Sequence, residues 1–75
     1  KVVREAIEDS ELPRTLLARD GQVSRASVEA WVSGIRNPSP ESIEQLANGL
    51  MARAAKLQQI AVRLMALREQ LRAGD

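Results

Sequence analysis

The side chains of this chain that could do chemistry are arginines, serines and carboxylates, because it contains neither histidine nor cysteine. Disulfides, thiolate or imidazole metal sites and histidine-based acid/base work are therefore excluded. Ser24 and its fellow hydroxyls have no imidazole to activate them as nucleophiles, and no glycine-rich phosphate cradle occurs. The carboxylates read as solvated helix faces and dipole partners, not as an acid/base pair. What remains is recognition chemistry within one stretch: guanidinium forks at Arg14, Arg25 and Arg36, hydroxyls at Ser24 and Ser27, and the amide of Asn37. A guanidinium fork matches phosphate oxygens and the paired acceptors on a guanine edge. We expect no enzymatic activity, no metal and no cofactor.

These residues need elements to hold them, and 75 residues make at most one small domain. Apolar residues at Val2, Val3, Ala6 and Ile7 have the spacing of a one-sided helix that ends near Ser10 and Glu11. Pro13 suits the first turn of a second helix, which buries Leu16, Leu17 and Leu12 and stops at Gly21, a natural left-handed terminator. Ser24 caps a third helix that runs to about Ser33, with Val28, Trp31 and Val32 on one face and Gly34 as terminator. Arg25, Ala26, Ser27, Glu29 and Ala30 then point elsewhere. Ser39, Pro40 and Glu41 form a helix-start signature for a fourth helix, with Ile43, Leu46, Ala47 and Leu50 inward.

From Arg14 to Ser33 the spacing fits a helix-turn-helix: small Ala18, a turn at Gln22, and buried Val23, Val28 and Trp31. Two steeply crossed helices need a small contact residue and a tight turn, which leaves the second helix proud enough to enter a major groove. The run VSRASVEAWVSGIRNPSPESIEQLANGL resembles the lambda-repressor-like, Cro-type helix-turn-helix family, over about Leu12 to Leu50. That family carries a similar V-S-R-x-x-V-x-x-W-x-S-G-x-R-x-P-S-x-E-x-x-x-x-L-A-x-x-L pattern. The resemblance implies that the third helix, about residues 24–33, is the recognition helix, and that Arg36 and Asn37 lie in the loop that approaches the DNA backbone. Two departures stand out. The family's turn glycine is replaced by Gln22, with Gly21 one residue earlier, so either Gln22 is left-handed or the turn is shifted. Pro13-Arg14 replaces the usual Ser-Gln, which removes a hydroxyl cap but keeps a side chain able to reach phosphate.

Within the recognition helix, Arg25 is the best candidate for a base or phosphate contact. Ser24 and Ser27 can donate to phosphate or base, and Ala26 and Ala30 can meet thymine methyls. Glu29 either accepts from cytosine or repels phosphate. Arg14, Arg36 and Asn37 complete the expected DNA-binding set.

Between Met51 and Arg72 there is neither proline nor glycine, and helix propensity is high. Leu50, Leu57, Leu64 and Leu71 recur every seven residues with Ile60 and Leu67 beside them. With the neighbouring alanines, methionines and Val62, the apolar arc covers roughly 220° of the helix. That width predicts a long helix with an oligomer seam through Leu57, Ile60, Ala61, Leu64, Leu67 and Leu71. Arg53, Lys56 and Arg63 share one side, as a solvated face beside the seam or as a basic strip.

The expected architecture is all-α: a helix-turn-helix domain of four short helices over residues 1–50, then a long dimerisation helix over 51–75. Charge is split between them. Residues 1–50 hold six bases and eight acids, whereas 51–75 hold five bases and two acids. A DNA face in the first half must therefore be local. The expected function is a bacterial or phage transcriptional regulator that binds double-stranded DNA as a homodimer on a pseudo-palindromic site. A cytoplasmic, nucleoid-associated location is expected, with no membrane partner and no small-molecule effector evident. The rival reading is an assembly module of helix-turn-helix shape that oligomerises without reading DNA. The chain opens on Lys1, not methionine, which fits a piece of a longer protein.

Overall fold

The computed structural model describes residues 2–74 and shows four helices, with no strand among those residues. They are α1 (Val2–Ser10), α2 (Arg14–Gly21), α3 (Arg25–Ser33) and α4 (Pro40–Ala73). The all-α expectation holds, with one refinement. The expected fourth helix and the long C-terminal helix are a single element of 34 residues, about 51 Å at ~1.5 Å per residue. Nothing between Leu50 and Met51 terminates a helix, and Gly49 is tolerated inside it because it lies against α2. The molecule is accordingly elongated, 59 × 19 × 18 Å. No helix among the described residues is long and apolar enough to cross a membrane.

The core is small and gathers at the end of α4 nearest the other helices. Ile7, Leu17, Ala18, Val28, Trp31 and Leu46 are buried, with Val3, Leu12, Val23, Val32 and Leu50 packed against them. Val28 is wholly enclosed and Trp31 is 8% exposed, so the single aromatic is a core residue as expected. Leu16, expected inside, is only half-buried. On the expected inner face of the fourth helix only Leu46 is buried: Leu50 is half-buried, and Ile43 and Ala47 are exposed. They line an open apolar groove with Val2, Val3 and Ala6, because α1 lies beside α4 without closing on it.

Helix ends follow local chemistry. Ser24 caps α3 and Ser39 caps α4, each side chain accepting from the backbone N–H three residues on (Ser27 and Ser42). Pro13 is the cap of α2, one residue before the expected first-turn place; its carbonyl receives the N–H groups of Leu16 and Leu17. Gly34 ends α3 in the left-handed region at φ 83°.

The end of α2 corrects the sequence reading. Gly21 is helical and buried, and Gln22 takes the left-handed conformation at φ 58°, ψ 40°. Its neighbour Val23 donates to Ala18 O at 3.0 Å, which closes the turn in the manner of a Schellman motif. The turn keeps its place, and Gln22 carries the strain a glycine would avoid. Gln22→Gly is therefore expected to raise stability by about 0.5–1 kcal/mol, the relief of strain being partly offset by a more flexible unfolded chain. Chemical denaturation of the two proteins measures this; an unstabilised variant would place the constraint elsewhere.

Where α4 leaves the core, Arg53 grips the last turn of α2. Its Nε donates to Asp20 Oδ2 and its Nη2 to Asp20 Oδ1 at 3.2 Å. Arg53 is thus not part of a solvated strip with Lys56 and Arg63. The hydrogen bond from Arg53 holds the Asp20 carboxyl below its ordinary pKa, against a smaller opposing effect of desolvation. Because the folded value is the lower one, this contribution is fully present above the unfolded carboxyl's pKa, about 3.9, and is lost as pH falls through the folded value. Denaturation midpoints of wild type should therefore fall more steeply in acid than those of Asp20→Asn; parallel curves would remove the pair from the acid response.

Candidate nucleic-acid interface

The polar residues singled out in the sequence converge around α3. Ser24 and Ser27 stand at its start, and Arg36 reaches back from the following loop to donate through Nη2 to Ser27 Oγ at 3.1 Å. The Ser24 hydroxyl donates to the same oxygen at 2.8 Å. A hydroxyl pair and a guanidinium are thereby held together at the positive end of a helix, where backbone N–H groups and the dipole favour anions. Asn37 and Ser27 line one hollow with Arg36, Trp31, Ser39 and Ser42.

Ser39 and Ser42 are site neighbours that the sequence reading did not include. The signal was present: Ser39-Pro40-Glu41-Ser42 has the same Ser-x-x-Ser spacing as Ser24-Arg25-Ala26-Ser27. Two capped helix starts therefore open near one arginine, since the short loop from Gly34 folds back on α3, with Arg36 N–H donating to Ala30 O at 3.3 Å.

Arg14 and Glu29, both expected at the interface, bind each other. Arg14 Nη1 lies 3.1 Å from each carboxylate oxygen of Glu29, and the side chains are 42% and 44% exposed. Such an exposed pair contributes little to stability, about 0–1 kcal/mol. Its electrostatic effect matters more: the one carboxylate of α3 is neutralised by a guanidinium from α2. Between Arg14 and Asn37 there are four arginines and two acids, and both acids, Asp20 and Glu29, are in ion pairs. The stretch thus has a net charge of +2 inside a half-chain of net −2, with both of its acids paired.

Arg25 and Ala26 are exposed on the first turn of α3, while Ala30 is half-buried. Arg25 is in no ion pair among the described residues.

A family model described as helix-turn-helix matches residues 3–50, from α1 into the first third of α4. The chain belongs to the lambda-repressor-like helix-turn-helix family. No curated protein and no solved structure matches it significantly. As a member of this family it is a DNA-binding helix-turn-helix regulator. The family match begins nine residues before the resemblance read from the sequence and so takes in α1, whose Ile7 belongs to the core. In this helix-turn-helix protein α2 and α3 are the paired helices, with left-handed Gln22 between them.

Proposed function

We propose that the protein is a sequence-specific transcriptional regulator that binds a pseudo-palindromic DNA site as a homodimer, with residues 24–33 presented to the major groove. The observation that carries this reading is Arg25: exposed and without an ion pair among the described residues at the start of α3, on a face whose only carboxylate is already neutralised. In the proposed complex Arg25 addresses a guanine edge, and Ala26 and Ala30 offer apolar contact to thymine methyls. Arg14, its Nη1 still on Glu29 and its other N–H groups turned to the backbone, and the Arg36, Asn37, Ser24 and Ser27 group hold phosphates and set the register.

The dimer reading rests on α4. From Ala54 to Gly74 every residue except half-buried Ile60 is exposed, and Leu57, Leu64, Leu67 and Leu71 retain 49% to 65% of their accessible surface. A row of exposed leucines on a helix beyond its own core is the pattern of an oligomer seam. Residues 1–50 are then the DNA-binding unit and 51–75 the dimerisation element, with the seam through Leu57, Ile60, Ala61, Leu64, Leu67 and Leu71.

The test is a salt titration on mixed genomic duplex fragments, followed by sequencing of what stays bound at physiological salt. Affinity is expected to fall steeply with salt as counterions are released, and a two-fold symmetric motif is expected to be retained. Binding without symmetry would reject the dimer geometry. No binding even at low salt would favour the assembly-module reading.

A further inference from the structure

We propose that the dimer is antiparallel, each α4 lying along its partner's so that the tail of one chain covers the open apolar groove on the DNA-binding unit of the other. The proposal rests on the dimer reading above and adds its direction, its register and the occupant of the groove.

The face of α4 turned to its own α2 carries Leu46, Gly49 and Arg53, which are buried or tied to Asp20. Roughly 80° further round the helix lies a second row, Ile43, Leu50, Leu57, Leu64 and Leu71, spaced by seven, with Ala47, Ala54 and Ala61 between its members. Of these eight residues only Leu50 is even half-buried. The row does not start where the domain ends. Its first members, Ile43, Ala47 and Leu50, are the α4 wall of the groove whose other wall is Val2, Val3 and Ala6. A single straight occupant is needed to cover both the bare tail and the groove, and a second α4 has the length.

Direction follows from volume and charge. With the helices antiparallel about a two-fold axis near Gln59, Ala61 faces the partner's Leu57, Ala54 faces the partner's Leu64, and Ala47 faces the partner's Leu71. Leu57, Leu64 and Leu71 then each meet an alanine, the alternation a packed core needs, and Leu50 meets the stem of the partner's Arg68. In a parallel pair leucines would stack on leucines and alanines on alanines, leaving alternate layers hollow, and Arg68 would face the partner's Arg68. On the flank of the antiparallel seam Glu44 falls opposite the partner's Arg72, and Met51 opposite the partner's Met65. Among the described residues Arg72 otherwise has only an exposed contact of 3.6 Å to Glu69. The basic tail, with five bases to two acids, is laid along the acidic first half, with six to eight.

The arrangement also has a consequence for DNA. Leu46 and Gly49, where α4 is anchored in the domain, lie ten to thirteen residues from the axis, so the two units are spaced roughly 35 Å along the helices at ~1.5 Å per residue. That is close to the ~34–36 Å between half-sites one turn apart.

The chain has no native cysteine, so the register can be read by disulfide trapping in the full chain. Sedimentation first establishes the oligomer. Ala47→Cys and Leu71→Cys chains, mixed and oxidised, are expected to give a crosslink between unlike chains, and Leu71→Cys alone is expected to give none. Glu44→Arg is expected to weaken the dimer by about tenfold, and adding Arg72→Glu to restore it. A dimer in which Leu71→Cys crosslinks to itself would overturn the antiparallel arrangement and leave the dimer reading intact. A monomer at every accessible concentration would overturn both. A dimer unaffected by the charge reversal would overturn the register.

Discussion

Gly49→Ala is expected to destabilise the domain by about 3 kcal/mol, at the upper end of the range for overpacking a closed contact. A Cβ at this position would stand 2.8 Å from the carbonyl carbon of Asp20, 2.9 Å from its oxygen and 2.9 Å from Gly21 N. All three are backbone atoms at the end of α2, so no side chain can rotate away, and α4 must lift from the element it is anchored to. Helix propensity points the other way, since alanine is favoured over glycine by ~1 kcal/mol in a helix interior. The close approach decides the sign. In a chain this small the loss is a large share of the total, and the melting temperature should drop by roughly 10–20 °C. Far-UV circular dichroism during heating measures it. Gly21→Ala is the control: its Cβ would meet Gln45 O and Leu46 Cδ2 at 3.4 Å, ordinary contact, and we expect a change within about 0.5 kcal/mol. A Gly49→Ala protein as stable as wild type would show that α4 is not seated against α2 this closely.

Arg25→Ala is expected to reduce specific DNA affinity by ~1–3 kcal/mol per half-site and to relax preference at one base pair in each. The side chain is exposed and in no ion pair among the described residues. The substitution therefore breaks no ion pair within the fold, and thermal stability should hardly move. Arg36→Ala should behave differently. If its role is phosphate contact, affinity falls about uniformly across sequences and the salt dependence becomes shallower by ~1 in slope. Selection from a randomised duplex library, run for both variants, separates the two behaviours. Unchanged operator affinity in Arg25→Ala would remove that residue from the interface.

Much of this protein is legible in its sequence because the decisive signals are local. Caps are made within three residues, as at Ser24 and Ser39, and Pro40 and Gly34 mark a start and a stop by their own backbone chemistry. The periodicity of Val28 and Trp31 places the core face of α3 without knowledge of its neighbours. The helix-turn-helix resemblance follows from the same spacing, and the family match bears it out.

Misreadings arose where two elements meet. Gly21 looks like a left-handed terminator by its type, yet it is helical and buried, and Gln22 accepts the strained conformation in its place. Ile43 and Ala47 have core periodicity, but α1 does not close over them. Arg53 belongs by spacing to a row of basic residues on α4, and only the crossing of α4 over the end of α2 brings it to Asp20.

The sequence by itself determined the helical segments, most of the core and the helix-turn-helix stretch, because helix periodicity and capping act over a few bonds. Tertiary structure alone decided which charges remain available. Glu29 is fifteen residues from Arg14, and Asp20 thirty-three from Arg53. Those separations carry no periodic signal, and an ion pair forms only where the fold brings two chain segments within reach. That pairing takes up both acids between Arg14 and Asn37 and leaves Arg25 in no ion pair among the described residues.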